Sequence, residues 1–359
     1  MSYVVSQSPS DRALNETDRR SPAYVHWVQE ALNRVAGTNL PTDGRFSPGT
    51  RAALQTFQGR RGLPADGVIG PRTEEALLEA GAQPPPGAGA ATPAVPRPGS
   101  ALIGGSPALM KSETSPPSTT LYTAVTLGGE RPARPMTGIF IPAGYRPVPR
   151  VDLVLYLHGH KASFPNVSID GYWNRARFPH FALREATNES RKNVILAAPT
   201  LGPRAQAGWL TGTGGLDRYV DQILAALRAH GPYSGSGVTP VLGSLILACH
   251  SGGGYPMRRL ALSGQRSAAL IRECWGFDCL YNTGDDVAWT KWARSRPDAR
   301  LFIHYLGSTT RLSTALRRQV QLQNLPNVSV KASTARSHNG VPIAHWRQHM
   351  ETAAFLSGV

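Results

Sequence analysis

The chain has 359 residues and carries 38 Lys+Arg against 23 Asp+Glu, a formal charge of +15; that length accommodates about two domains, and the charge favours anionic partners. The basic residues are scattered rather than gathered into a Lys/Arg run, so no nucleic-acid partner is expected. No stretch of about 18 apolar residues occurs, so no membrane span is expected; the three cysteines (Cys249, Cys274, Cys279) are too few for a disulfide framework, and the ten histidines show no tight ligand spacing, so neither a metal nor another cofactor is expected.

Residues 1–20 contain no basic segment followed by an apolar core, so no signal peptide is expected. The protein is then cytoplasmic as synthesised, and any release to the cell envelope needs a non-Sec or lytic route.

Residues 22–81 hold an internal repeat: "TDGRFSPGTRAAL" at 42–54 and "ADGVIGPRTEEAL" at 65–77. In each, Asp-Gly makes a tight turn and a threonine, Thr50 or Thr73, occupies the expected helix N-cap. Ahead of them Val25, Val28, Leu32 and Val35 recur at 3-4-3 spacing, one face of an amphipathic helix. Leu54, Phe57 and Leu77 supply the apolar faces of two further helices, so three short helices around one small core are expected. This doubled motif resembles the three-helix peptidoglycan-binding domain of cell-wall hydrolases. The resemblance implies attachment to peptidoglycan or another cell-envelope polymer, with the loops at 43–50 and 66–73 as the expected binding side. Asp43, Gly44, Asp66 and Gly67 within those loops read first as turn and cap builders.

Residues 82–118 are rich in Pro, Gly, Ala and Ser, a composition that cannot bury a core and reads as a semi-stiff linker. Fully extended, it reaches about 100 Å. Its apolar piece "ALIGG" could dock on a neighbour.

The third segment, 119–359, alternates strand and helix patterns. Strands are expected at 122–127, 138–142, 151–157, 194–198, 245–249, 270–277, 300–305 and 328–331, with helices at 216–229, 255–262, 286–294, 313–323 and 343–356. The first strands follow one another directly and the rest alternate with helices. The expected fold is therefore α/β, a mostly parallel sheet with helices on both faces, beside the small all-α N-terminal domain. All three cysteines read as buried thiols, and the odd offset between Cys274 and Cys279 places them on opposite faces of their strand.

In such a sheet ligands bind beyond the carboxyl ends of the strands. The residues there are "HGHK" (158–161), Ser251, Asp278 and "SHNG" with His338. A serine, an aspartate and a histidine thus share one sheet edge. Ser251 sits in "CHSGG", between a strand and a helix, where its plainer role is a helix N-cap.

The constellation resembles the α/β-hydrolase family over roughly residues 121–359. The family's elbow is small-x-Ser-x-small, here Cys249-His250-Ser251-Gly252-Gly253, with Cys249 departing from the usual glycine. The resemblance implies Ser251 as nucleophile and His338, in the polar loop after the last strand, as base, with His345 the alternative. His304, His345 and His349 otherwise read as packing residues. The family's acid usually follows the seventh strand, but that stretch has no Asp or Glu and Asp298 precedes the strand. Asp278 takes the role, with Asp285 and Asp286 in reserve. The oxyanion hole falls to the backbone N–H groups of Gly252 and His160. Substrate-binding residues are unknown, although Trp173, Phe178, Trp209, Tyr255 and Trp289 are candidates.

The expected reaction is carboxylester hydrolysis through an acyl-enzyme. Paired with the first domain, it implies a cell-envelope or lipid ester, as in phage lytic esterases that cleave mycolyl-arabinogalactan and can carry a similar module. Amide or peptide cleavage in the wall, acyl transfer, and a non-catalytic wall-binding role are the alternatives.

Overall fold

A computed structural model of the chain describes residues 21–61, 63, 65–69, 73–74, 76–77, 80, 82, 106–115, 117–128, 135–161, 166–173, 175–176 and 178–359. Residues 1–20 and the "ALIGG" piece, on which the leader and docking expectations rest, lie outside the described residues. The chain divides into two compact units, Met1–Ala101 and Leu102–Val359. No helix among the described residues is long and apolar enough to cross a membrane.

In the first unit, α1 (Pro22–Ala36) and α2 (Pro48–Arg60) each start at a serine followed by proline. Ser21 Oγ accepts the Tyr24 N–H at 3.2 Å, and Ser47 Oγ accepts the Thr50 N–H at 3.1 Å. The N-cap of α2 is therefore Ser47, not Thr50; proline at the first helical position leaves the cap one step before it. Residues 73, 74, 76 and 77 are helical as well. Tyr24, Trp27, Val28, Leu32, Leu54, Phe57 and Leu77 close one core.

Two buried glutamines organise the repeat. Gln29 Nε2 lies 2.9 Å from Asp43 Oδ1 and 3.0 Å from the Arg45 carbonyl, while its Oε1 accepts the Gly44 N–H at 2.9 Å. Gln58 does the same in the second copy, with Asp66 Oδ1 at 3.0 Å, the Val68 carbonyl at 3.0 Å, Thr73 Oγ1 at 3.0 Å and the Gly67 N–H at 2.9 Å. Asp43 and Asp66 also accept the N–H two residues on, both at 2.9 Å. One oxygen of each carboxylate, Oδ1, thus builds its turn, while both aspartates remain exposed.

The second unit is a nine-stranded sheet in the order β1-β2-β3-β5-β4-β6-β7-β8-β9. The strands are β1 (Leu109–Ser115), β2 (Ser118–Thr123), β3 (Thr137–Ile141), β4 (Arg150–Leu157), β5 (Ile195–Pro199), β6 (Val241–His250), β7 (Ile271–Phe277), β8 (Arg300–Tyr305) and β9 (Val328–Ala332). The pairs β1–β2, β2–β3 and β3–β5 are antiparallel, and the remainder parallel. Along β4 and β6 alternate residues enter opposite cores: Leu153, Leu155, Leu157, Leu245, Leu247 and Cys249 in one, Val154, Tyr156, Ile246 and Ala248 in the other. The first core is covered by α5 (Gly215–His230), α6 (Gly254–Ala261), α7 (Asp285–Ser295) and α8 (Thr310–Leu322). The second is covered by α3 (Ile169–Tyr172), α4 (Leu183–Glu189) and α9 (Val341–Thr352). This is the mostly parallel α/β-hydrolase sheet with helices on both faces.

Two expectations are corrected. Residues 109–115, assigned by composition to the linker, form the edge strand β1, whose "LMKSETS" has no apolar alternation to reveal it. It is pinned by charge instead: Arg184 reaches Glu113 Oε2 at 3.1 Å, Thr120 Oγ1 at 3.0 Å and the Trp173 carbonyl at 3.0 Å. The strand expected at 122–127 ends at Thr123, because pairing with β3 stops there.

Replacing Gln58 by Leu strands the Gly67 N–H and removes a bond to Thr73. In calorimetry of the full chain, the transition of the first unit should fall by roughly 5–10 °C, with the second unit's transition unmoved.

Candidate active site

The strands β4, β6, β7 and β9 run parallel, so the residues leaving their carboxyl ends meet at one edge. β6 delivers Ser251, whose φ is +53°, in the left-handed region that costs a non-glycine residue about 1–3 kcal/mol. A 3-10 turn, Ser251–Gly253, then leads into α6, and no side chain caps either. The N-cap role for Ser251 is therefore absent. A strained serine between strand and helix is the geometry of a nucleophile elbow.

Close approach explains the surrounding glycines. A Cβ on Gly159 would lie 2.7 Å from Ser251 Cβ, so the loop after β4 rests directly on the serine. A Cβ on Gly252 would lie 2.2 Å from His160 Cδ2, so the His160 ring occupies that space. Gly253 and Gly254 likewise abut the Leu157 and Cys279 carbonyl oxygens, where a Cβ would come within 2.3 and 2.2 Å.

His158 fixes the loop that carries His160. It is buried, its Nδ1–H donates to the Gly159 carbonyl at 2.8 Å, and its Nε2 accepts the Leu201 N–H at 2.9 Å. Burial first, then the Lys161 charge, pushes its pKa down to about 3, so it stays neutral. Because a peptide is planar and trans, holding the Gly159 carbonyl toward His158 turns the His160 N–H the opposite way. Gly252 lies in the first turn after β6, where helix amides have no intrahelical acceptor.

Asp278 is the second left-handed residue, at φ +47°. Its N–H donates to the His304 carbonyl at 2.7 Å. Its Oδ1 accepts the Leu306 N–H at 2.7 Å and the Thr309 hydroxyl, and its Oδ2 accepts His338 Nδ1–H at 2.6 Å. Burial opposes its charge, but the bonds from His338, Thr309 and Leu306 outweigh burial and hold the carboxyl below the usual range. With Nδ1–H committed to the carboxylate, neutral His338 has its lone pair on Nε2. The His338 ring sits 4.4 Å from that of His250, the residue before Ser251.

The reserve candidates are engaged elsewhere. His345 Nε2 meets Ser333 Oγ at 2.8 Å and its ring stacks on His304 at 3.7 Å. His349 and His304 meet Nε2 to Nε2 at 2.9 Å. Asp285 Oδ1 accepts from Arg258 at 2.7 Å. Trp173 and Trp289 are core residues, each at most 1% exposed, and do not line a pocket. Trp209 packs against the same core as Trp289 and donates to the Thr126 carbonyl at 2.9 Å. A cavity of about 470 Å³ between α7 and α8, lined by Val287, Lys291, Arg294 and Gln319 among others, contains no nucleophile with a base. Among the described residues no cluster of three or more His, Cys, Asp or Glu side chains is arranged to hold a metal ion.

Cys249, Cys274 and Cys279 are free thiols in one core cluster. Cys279 therefore does not lie opposite Cys274: the chain leaves β7 at Phe277, and the turn at Asp278 returns Cys279 to the same side. Its thiol is held protonated by a hydrogen bond with Cys249 and by burial. Cys249 is tolerated at the elbow because its side chain points into this core. Two residues had no role to mark them in the sequence: His250, the variable position of the elbow, and Tyr281, 44% exposed, whose phenol burial pushes up while hydrogen bonding to Ser308 and Ser251 pulls it back.

Because the folded carboxyl of Asp278 titrates below its ordinary value, its stabilisation is present above about pH 4 and is lost as pH falls through the lowered value. Asp278→Asn should lower the urea midpoint at neutral pH, with the gap to wild type narrowing below about pH 4.

Residues 21–77 match the family described as "Putative peptidoglycan binding domain". A stretch of 72 residues is 54% identical to the zinc D-Ala-D-Ala carboxypeptidase of Streptomyces albus G, covering 20% of this chain and 25% of that protein. The chain thus spans about a quarter of the length of that relative. Among solved structures, FphF, a fluorophosphonate-binding serine hydrolase of Staphylococcus aureus, is 12% identical over 66% of this chain and 98% of its own, with a TM-score of 0.42. An S-formylglutathione hydrolase from Agrobacterium tumefaciens is 12% identical over 68% of this chain and 98% of its own, at 0.42, and a ferulic acid esterase is 12% identical over 65% and 96%, at 0.43. Strand order and the left-handed turn at Ser251 by themselves define the fold of the second unit. The first unit is thus similar to peptidoglycan-binding domains, and the second is an α/β-hydrolase sheet bearing a serine elbow and an Asp–His pair at one edge.

Proposed function

We propose that the chain is a serine hydrolase that cleaves a carboxylic ester of the cell envelope through an acyl-enzyme on Ser251. The observation that carries this is the 2.6 Å bond between Asp278 and His338 at the sheet edge where Ser251 holds its left-handed backbone. His338 Nε2 takes the Ser251 proton as Oγ attacks the ester carbonyl. Asp278 keeps the ring in the tautomer that leaves Nε2 basic and stabilises the imidazolium that forms. The N–H groups of Gly252 and His160 receive the oxyanion, each contributing roughly 3 kcal/mol to the barrier reduction. The imidazolium then protonates the leaving alcohol, and water activated by the same Nε2 releases the acid.

The match of residues 21–77 to a peptidoglycan-binding family supports peptidoglycan as the polymer that holds the enzyme near its substrate.

Short p-nitrophenyl esters should be hydrolysed and Ser251 labelled by a fluorophosphonate. Ser251→Ala should lose label and turnover by about 10⁴-fold or more. An unlabelled wild type, or turnover of amides alone, would overturn the ester reading. In a pull-down on purified peptidoglycan, deletion of residues 1–82 should abolish retention; equal retention removes the proposed partner.

A further inference from the structure

We infer that His250 is the positioning residue of the base: it grips the His338 main chain and ring so that Nε2 is held toward the serine. This rests on the reading of Ser251, His338 and Asp278 as the catalytic set. The His338 side chain is 39% exposed and occupies a short 3-10 turn, His338–Gly340. Asp278 restrains it through Nδ1. His250 supplies a second restraint. It is 2% exposed, its Nε2–H donates to the His338 carbonyl at 3.1 Å, and its ring packs on the His338 ring at 4.4 Å with a 39° tilt. Phe181, at 5.7 Å, backs it.

Because the acceptor is a carbonyl, the proton is on Nε2 and the lone pair on Nδ1. That Nδ1 has no hydrogen-bond partner among the described residues and faces Gly159, where a Cβ would lie 3.2 Å away. The titratable groups around His250 are His338, Asp278 and His158. Burial, and then the His338 charge, push its pKa down to about 3 and keep it neutral, so it adds no like charge beside the imidazolium formed in turnover. One residue therefore ends β6, precedes the nucleophile and holds the base, coupling the two.

The test is full-chain ester turnover, fluorophosphonate labelling and the pH profile of four variants. His250→Gln keeps an N–H near the Nε2 position, His250→Asn stops short of it, His250→Phe keeps the ring without a donor, and Ser251→Ala is the control. His250→Asn and His250→Phe should lower kcat roughly 10- to 100-fold with little change in KM. Labelling should slow by the same factor, the acidic limb of kcat/KM should shift, and His250→Gln should recover most of the loss. Wild-type kcat and pH profile in His250→Asn, or equal loss in His250→Gln and His250→Asn, would overturn the inference, and that pair decides even where His250→Phe fails to fold. Dead Ser251→Ala beside unaffected His250→Asn rejects this inference alone; an active Ser251→Ala rejects the serine reading and the inference with it.

Discussion

The left-handed backbone at Ser251 is the constraint around which the second unit is built. A serine in that region is strained by about 1–3 kcal/mol and persists only where its surroundings over-determine it. Here they do so from three sides. The loop after β4 lies on the serine through Gly159, the turn after Ser251 abuts the end of β4 through Gly253, and the start of α6 abuts the loop after β7 through Gly254. None of these approaches tolerates a Cβ. The same close packing brings His160 over Gly252.

Asp278 repeats the device one strand over. Its own left-handed turn ends β7 and sends Cys279 back into the core against Cys249. Its carboxylate meanwhile collects bonds from the chain after β8 and from His338 after β9. A single buried side chain thus ties three strand ends together, and its hydrogen bonds outweigh the cost of burying its charge. The histidines divide by the same logic of burial: His158 and His250 are driven neutral and serve as struts, whereas His338 remains half-exposed.

The first unit shows a different economy. One buried glutamine per repeat satisfies an Asp-Gly turn and a helix start together, so the doubled motif closes the loop from inside the unit. Only fully hydrogen-bonded amides are tolerated at such burial. Glutamine at 29 and 58 was not legible as part of the motif, because it lies one helix earlier than the turn it serves.

Local chemistry was enough to determine most strands of the parallel sheet and the strand-to-helix turn at Ser251. Period-two burial and strand-to-helix glycines act over a few residues, and a few residues are all that pattern reading requires. The tertiary structure alone decided the rest. It made β1 a strand through Arg184 instead of an apolar stripe, and it put Cys249 and Cys279 in one core. It retired His345 into a stacked pair with His304, and brought His250 against His338. Each of these depends on groups distant in the chain meeting at hydrogen-bond or ring-contact distance, and no spacing along the sequence encodes that meeting.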